Sequence, residues 1–192
     1  PVFADIQYST GNIDPNDIRK KITKKTKAII PVHFGGYACN MKEIMEIAEE
    51  YNLHIVEDAA HSVGSKLNGK SLGTFGTMGC FSFHAVKNMT IADGGMLVTN
   101  NQAYYERLQK LIWCGIDKST FARQRKDKYT WDYDVKEIGY KFHLNDILSS
   151  IGIVQLKKLE KMNERRREIR DIYNKSFSKF DFIECPVNKE GV

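Results

Sequence analysis

The sequence predicts an α/β protein built on a largely parallel sheet. Three observations carry this. The runs "KAIIPVHF" and "HIVEDAA" are nearly continuous apolar stretches, as in strands covered on both faces. Helical patterns precede and separate them. The short strand, helix, strand, helix, strand spacing then calls for right-handed crossovers within one sheet.

Each element has its own local reason. "VFADI" reads as a short strand, and Asp14 before Pro15 is an N-cap followed by a proline at the first helical position, which predicts a helix to about Lys25. "KAIIPVHF" is the next strand. After an Asn40 cap, Met41, Ile44, Met45, Ile47 and Ala48 recur at helical spacing, and "HIVEDAA" follows as a strand. The rhythm then changes. Asn68-Gly69 in "KLNGKSL" is a hairpin signal, and "MGCFSFH" and "GGMLVTN" read as strands with no helix between them. "NQAYYERLQKLIW" is a helix after an Asn100 cap, and Gly115 to about Phe142 is a long polar segment of the kind that is functional or reaches a neighbour. A long helical pattern from Leu144 to Phe177, apolar at first and increasingly basic, leads to "FDFIECPV".

The totals exclude several classes. At 192 residues the chain suffices for one sizeable core, or one domain plus a tail, and 42% hydrophobic with 28% charged residues is ordinary for a soluble globular protein rather than a disordered one. A net charge of +5 mildly favours anionic partners. The four cysteines, Cys39, Cys80, Cys114 and Cys185, form no C-x-x-C pair, so the sequence indicates no metal site, no disulfide framework and a reduced, cytoplasmic setting. No run approaches the roughly 18 apolar residues of a membrane helix, and no signal-like core opens the chain. The start at Pro1, inside what reads as a strand, suggests a piece of something longer.

Asp58 falls near the carboxyl end of a buried strand, where α/β sheets bind ligands. A carboxylate there either pairs with a cationic ligand group or caps the turn through the Ala59 and Ala60 amides. Lys87 is either a surface charge or an amine desolvated by the preceding "CFSFHAV"; desolvation lowers a lysine pKa and frees the neutral amine to attack an aldehyde. Ser82 offers a donor to a phosphate, and Asp93-Gly94-Gly95 supplies a turn with close backbone approach. Taken together, a strand-end carboxylate, a hydroxyl, a lysine and a double-glycine turn meet the needs of pyridoxal phosphate: a partner for the ring nitrogen, phosphate donors and a Schiff-base lysine.

At these residues the chain resembles a known family. "VEDAAHSVG", "CFSFHAVKN", "DGGMLVTN" and "GYKFHLNDILSSIGIVQLKKLEKMNERRREI" are similar to successive signatures of the DegT/DnrJ/StrS sugar-nucleotide aminotransferases, and "NIDPNDIRKKITKKTKAIIPVHFGGYACNMKEI" resembles their upstream segment. The resemblance runs over nearly all of the chain. It implies the fold-type I, aspartate-aminotransferase-like large domain, with residues 1–150 forming most of that domain without its N-terminal part. Residues 151–192 would be a long linking helix and the start of a truncated, smaller C-terminal domain. It implies a homodimer with pyridoxal phosphate at a shared active site. By motif position Lys87 would be the Schiff-base lysine, Asp58 the partner of the pyridinium nitrogen, His61 a neighbour of the ring or its 3-hydroxyl, and Ser82 a phosphate contact. Lys141 stands where many members carry an Asn that reaches the neighbouring subunit's cofactor phosphate, and would keep that contact as a point charge.

The implied chemistry moves nitrogen from an amino acid, usually glutamate, to a keto sugar carried on a nucleoside diphosphate, with Lys87 as general base and acid. Relatives that are dehydratases carry histidine in place of this lysine; here the lysine stands, with His84 three residues before it, which favours transamination. The rival reading is a noncatalytic or regulatory member that keeps the cofactor scaffold, and an NAD-type domain ranks last because its glycine fingerprint is missing. The remaining signals read blandly. His33, His54 and His143 are taken as structural, Gly35-Gly36 as no nucleotide loop, and "KKLEKMNERRREIR" as a solvated helix face rather than a nucleic-acid site. Arg123, Arg125 and Lys128 in the long polar segment are candidate phosphate partners, or simply part of an exposed loop.

Overall fold

The computed structural model describes residues 1–118, 123–125, 128–129 and 132–186, with backbone alone at 124–125 and 128–129. Two compact units form: residues 1–98 with 146 onward, and residues 99–145.

The first unit holds a four-stranded sheet in the order β1 (Ala28–Ile29), β2 (His54–Asp58), β5 (Met78–Ser82), β6 (Gly95–Val98). β1, β2 and β5 run parallel, and β6 returns antiparallel along β5. Between β2 and β5 lies the predicted hairpin, β3 (Lys66–Leu67) and β4 (Lys70–Ser71). Asn68 and Gly69 stand at φ 51° and 80°, the two left-handed positions that a two-residue turn requires.

Helix α1 spans Pro15–Lys21, its N-terminus capped by the Asp14 side chain on the Asn16 amide. It is a turn shorter than the sequence predicts. The Ile22 amide donates to the Ile18 carbonyl and ends the last turn, and Thr26 turns the chain back by accepting the Thr23 amide on its hydroxyl. Helix α2 (Met41–Glu50) buries Met41, Ile44, Ile47 and Ala48 against Ile18, Ile29, Cys39 and Ile55, and this cluster is the core. Met45, predicted to join it, points outward and is 40% exposed.

Two predicted strands are weaker than expected. "VFADI" forms only a single antiparallel bridge, Ile6 with Ile13. "KAIIPVHF" pairs at Ala28–Ile29 and again at Val32 with Asp58, because Pro31 has no N–H for the ladder between them. It is also covered on one face only. Ile29, Pro31 and His33 are buried while Ile30 is 62% exposed, so the apolar run alternates in burial despite its uniform composition.

Helix α4 (Asp146–Phe177) closes this unit, and among the described residues no helix is long and apolar enough to cross a membrane. In the 99–145 unit, helix α3 (Gln102–Leu111) is capped by Asn101, one residue after the predicted Asn100, through its side chain on the Tyr104 amide. Bridges Trp113 with Lys141 and Ile116 with Val135, and a short ladder of β7 (Gln124–Arg125) with β8 (Lys128–Tyr129), organise what reads as a polar loop in the sequence.

One buried ion holds the sheet's connections. Glu57, in β2, is fully buried, and its Oε2 accepts from His33 Nε2 at 2.9 Å and from the Gly73 amide at 2.8 Å. Its Oε1 accepts from the Phe75 and Gly76 amides, both at 2.6 Å. The Cys39 amide donates to His33 Nδ1 at 3.2 Å, so the ring proton sits on Nε2 and points at Glu57. Burial alone would raise the Glu57 carboxyl, but the His33 hydrogen bond and the Gly76 and Gly73 amides outweigh it and hold the group below its ordinary value.

A carboxyl lowered in the folded state contributes stability that is present above the unfolded pKa of about 4.3 and lost as pH falls through the folded one. Glu57→Gln sets an NH2 group against backbone N–H donors. The variant is expected to lose about 3 kcal/mol at pH 7 and to show a flatter acid limb, both read by urea unfolding across pH. An unchanged midpoint would contradict the anchoring role.

Candidate active site

Strand alternation turns the Glu57 anchor into the placement of Asp58. Ile55 and Glu57 face the covered side and are buried, so Val56 and Asp58 face the other and are half-buried. Asp58 pairs in parallel register with Cys80, which puts the two side chains on one face, and Ser82 lies two residues on along β5 and shares it. Both residues end their strands, at the carboxyl edge of the parallel sheet.

The contacts of each group are few. Asp58 Oδ1 accepts from the Ala60 amide at 3.0 Å, so the turn-capping role is realised, but with one oxygen only. Its Oδ2 has no partner among the described residues. The Cys80 thiol, in register with Asp58 across the ladder, is pushed up by burial and then by the Asp58 charge. Ser82 Oγ accepts from the His84 amide at 3.3 Å, leaving its own hydrogen to donate. His61 follows on the turn after β2, where its Nδ1 accepts from the Gly35 amide at 3.3 Å and its ring meets Phe34 edge-on.

Lys87 rises from the same sheet edge, in the loop 83–94 between β5 and β6. Its amide donates to the His84 carbonyl at 3.0 Å, and its side chain has no partner among the described residues. The apolar surroundings expected from "CFSFHAV" do not form around it. Phe83 is buried, but His84, Ala85 and Val86 are exposed, Val86 to 79%, and Lys87 is itself half-buried. The stretch is apolar in composition and begins in β5, but the strand ends at Ser82, and beyond the buried Phe83 the chain turns and leaves His84, Ala85 and Val86 exposed.

Lys141 belongs to the 99–145 unit, where it is exposed and its Nζ lies 5.9 Å from the centre of the Trp113 ring. The strand ends therefore gather Asp58, His61, Ser82 and the Lys87 loop, and Lys141 is described apart from them. Arg123 is buried, with its guanidinium 5.0 Å from the Tyr133 ring centre; the side chains of Arg125 and Lys128 lie outside the described residues. Of the histidines set aside, His33 is satisfied by Glu57 and Cys39, and His54 is exposed. His143 packs edge-on against Trp113 but keeps a shielded Nδ1 without a hydrogen-bond partner among the described residues.

Sequence reading missed Glu57. The signal was there: Glu57 stands in register with Ile55 on the buried side of the strand, where an ion must find partners. A cleft of about 520 Å³ lined by Lys42, Met45, Glu46, Phe75 and Thr77 opens at the opposite, amino ends of β2 and β5, away from these groups.

The sequence matches the DegT/DnrJ/EryC1/StrS aminotransferase family over residues 1–191. The chain belongs to this family. It is 44% identical over its full length to the uncharacterized protein MJ1066 of Methanocaldococcus jannaschii, covering 50% of that protein. It is 37% identical, again over its full length, to the spore coat polysaccharide biosynthesis protein SpsC of Bacillus subtilis, covering 49% of it. Among solved structures, the PLP form of the putative sugar aminotransferase Spr1654 from Streptococcus pneumoniae superposes with a TM-score of 0.81 at 31% identity. That match covers 93% of this chain and 48% of the other. The chain thus spans about half the length of the curated relatives it matches. The predicted fold class, the large α/β domain of fold-type I aminotransferases, is borne out.

Because the Asp58 charge helps to raise the Cys80 thiol, Asp58→Asn is expected to lower that thiol toward its ordinary value and speed its alkylation by iodoacetamide at pH 8, read by peptide mass spectrometry with Cys114 as internal reference. An unchanged rate would remove Asp58 from the neighbourhood of Cys80.

Proposed function

We propose that this protein is a pyridoxal phosphate-dependent aminotransferase that aminates a keto sugar linked to a nucleoside diphosphate, with glutamate as amino donor, in amino-sugar or polysaccharide biosynthesis. The observation that carries the reading is the shared face of Asp58 and Ser82 at the carboxyl edge of β2 and β5, with the Lys87 loop leaving from the same edge. Membership of the aminotransferase family supports it, as does the cofactor named for the Spr1654 structure.

The donor set fits the cofactor. A half-buried carboxylate with one oxygen unpartnered among the described residues suits a pyridinium nitrogen, a serine hydroxyl with a free hydrogen suits a phosphate, and an unpaired amine suits an aldehyde. Asp58 would hold the ring nitrogen, Lys87 the aldehyde carbon, Ser82 the phosphate, and His61 the ring or its 3-hydroxyl. Lys141 would contact a phosphate across a homodimer interface. Pyridoxal phosphate, when bound, supplies an electron sink for loss of the substrate's α-proton and carries nitrogen between donor and acceptor.

The chain's own residues supply the rest. The Asp58 carboxylate, capped on one side by Ala60, would set a negative charge beside the ring nitrogen and so favour its protonated form. Lys87 Nζ would take the substrate's α-proton as general base and, as general acid, return it on the far side of the transferred nitrogen. To the same reading belong the division into a large domain through residue 150 and a linking helix from 151, and a cytoplasmic setting, where nucleotide-linked sugars are made.

Borohydride reduction of the protein with pyridoxal phosphate is expected to leave a reduced adduct on the peptide carrying Lys87, and Lys87→Ala to lose both the adduct and at least about 10²-fold in turnover with glutamate and a keto-sugar nucleotide. An adduct at another lysine would reject the assignment; an adduct at Lys87 without conversion of the cofactor by glutamate would favour a noncatalytic binder.

A further inference from the structure

The Lys87 loop is closed at its base. The Phe83 amide donates to the Gly94 carbonyl at 2.8 Å, the Ile91 amide to the Phe83 carbonyl at 2.9 Å, and Phe83, Met89 and Ile91 are buried. Between these points His84, Ala85 and Val86 are exposed, and Lys87 itself contributes only its amide. The tie nearest the lysine comes from elsewhere in the fold.

Five residues of α4, Gly152, Gln155, Leu159, Asn163 and Arg166, recur at spacings of three and four and form one stripe. Every one of them meets the Lys87 loop or the turn that follows His61. A β-carbon on Gly152 would lie 3.4 Å from Ile91 Cγ2. Gln155 Nε2 donates to the Thr90 carbonyl at 3.1 Å. Leu159, buried, packs under Gly64, which has φ +87° and where a β-carbon would sit 2.8 Å from Asn163 Nδ2.

The last two close a circuit. Asn163 Nδ2 donates to the Val63 carbonyl at 3.3 Å, and Arg166 Nη1 to Asn163 Oδ1 at 3.0 Å. Arg166 Nη2 donates to the Asn88 carbonyl at 3.0 Å, and Asn88 Nδ2 returns to the Val63 carbonyl at 2.7 Å. The loop residue beside Lys87 and the turn beyond Asp58 and His61 are thus tied to each other and to one guanidinium. Asn88 Oδ1, shielded from solvent, has no partner among the described residues, a cost that a fixed amide orientation next to the lysine explains.

We propose that Arg166 and Asn163 are positioning residues for Lys87. They hold the main chain next to the lysine and the turn after Asp58 in one frame, and so set the lysine's approach to a group seated on Asp58. The proposal rests on the assignment of Lys87 as the lysine that bonds the cofactor.

Arg166→Met in the holoenzyme removes both donors. It is expected to shift the pH midpoint of the visible absorbance band of the lysine-bound cofactor and to weaken cofactor retention about tenfold, the size of one hydrogen bond to a charged group. Arg166→Lys, which keeps one donor, falls between. Arg170→Met, one turn on, removes a guanidinium that bonds Asp171 and changes neither reading.

A merely structural role would lower the unfolding midpoint and leave the band's titration and cofactor retention unmoved, and that result overturns the proposal. If Arg166→Met does not fold, Arg166→Lys carries the test by the same criterion. Peptide mapping of the borohydride-reduced, unsubstituted holoenzyme separates the two ways of failing. An adduct away from Lys87 overturns the lysine assignment and the proposal with it, whereas an adduct at Lys87 with an unmoved titration overturns the positioning role alone.

Discussion

A carboxylate taken out of water must be met on every side or it destabilises the fold by several kcal/mol, and Glu57 is met by His33 and three backbone amides. These partners come from two places, the turn after β1 and the segment that feeds β5, and they converge on an ion carried by β2. The ion therefore fixes how the parallel strands are joined as well as how they pair. Because successive strand residues point to opposite faces, seating Glu57 inward leaves Asp58 no choice but the other face. A one-residue slip would exchange them, burying Asp58 among the core residues and presenting Glu57 at the sheet edge.

From that constraint the site divides its labour. The strands deliver groups whose positions follow from register: Asp58 opposite Cys80, with Ser82 on the same face. The loop between β5 and β6 delivers the lysine, which must move if it is to pass a proton, so it cannot be locked by its own contacts. The long helix α4 ties down the main chain beside it through Asn163, Arg166 and Gln155, leaving the amine itself without a partner among the described residues. A tied main chain with an unpartnered amine is the combination that the proposed proton transfer needs.

Much of this was legible in the sequence, for reasons that are local. Asn68-Gly69 specifies its hairpin through backbone angles, Asp14-Pro15 specifies a helix start, and the spacing of Met41, Ile44, Ile47 and Ala48 specifies a buried face. What failed depended on partners distant in sequence. "KAIIPVHF" looks uniformly buried, yet Ile30 and Val32 are left 62% and 39% exposed. "CFSFHAV" looks like a desolvating wall for Lys87, yet the chain turns after Phe83 and exposes the rest. Glu57 reads as an ordinary strand-end charge beside Asp58 until His33, 24 residues earlier, is seen against it. The residues proposed to act on the cofactor were found from their order along the chain, while the residues that hold them in place emerge only from packing.

The proposed chemistry turns on the Asp58 carboxylate, at the end of β2, acting on the ring nitrogen of pyridoxal phosphate. The most direct measurement is the ¹⁵N chemical shift of that nitrogen, using ring-labelled cofactor bound to the protein and to Asp58→Asn. A pyridinium shift is expected across neutral pH in the unsubstituted protein, with a move toward the unprotonated pyridine value in the variant. A pyridine-like shift in the unsubstituted protein, or the same shift in both, would contradict it.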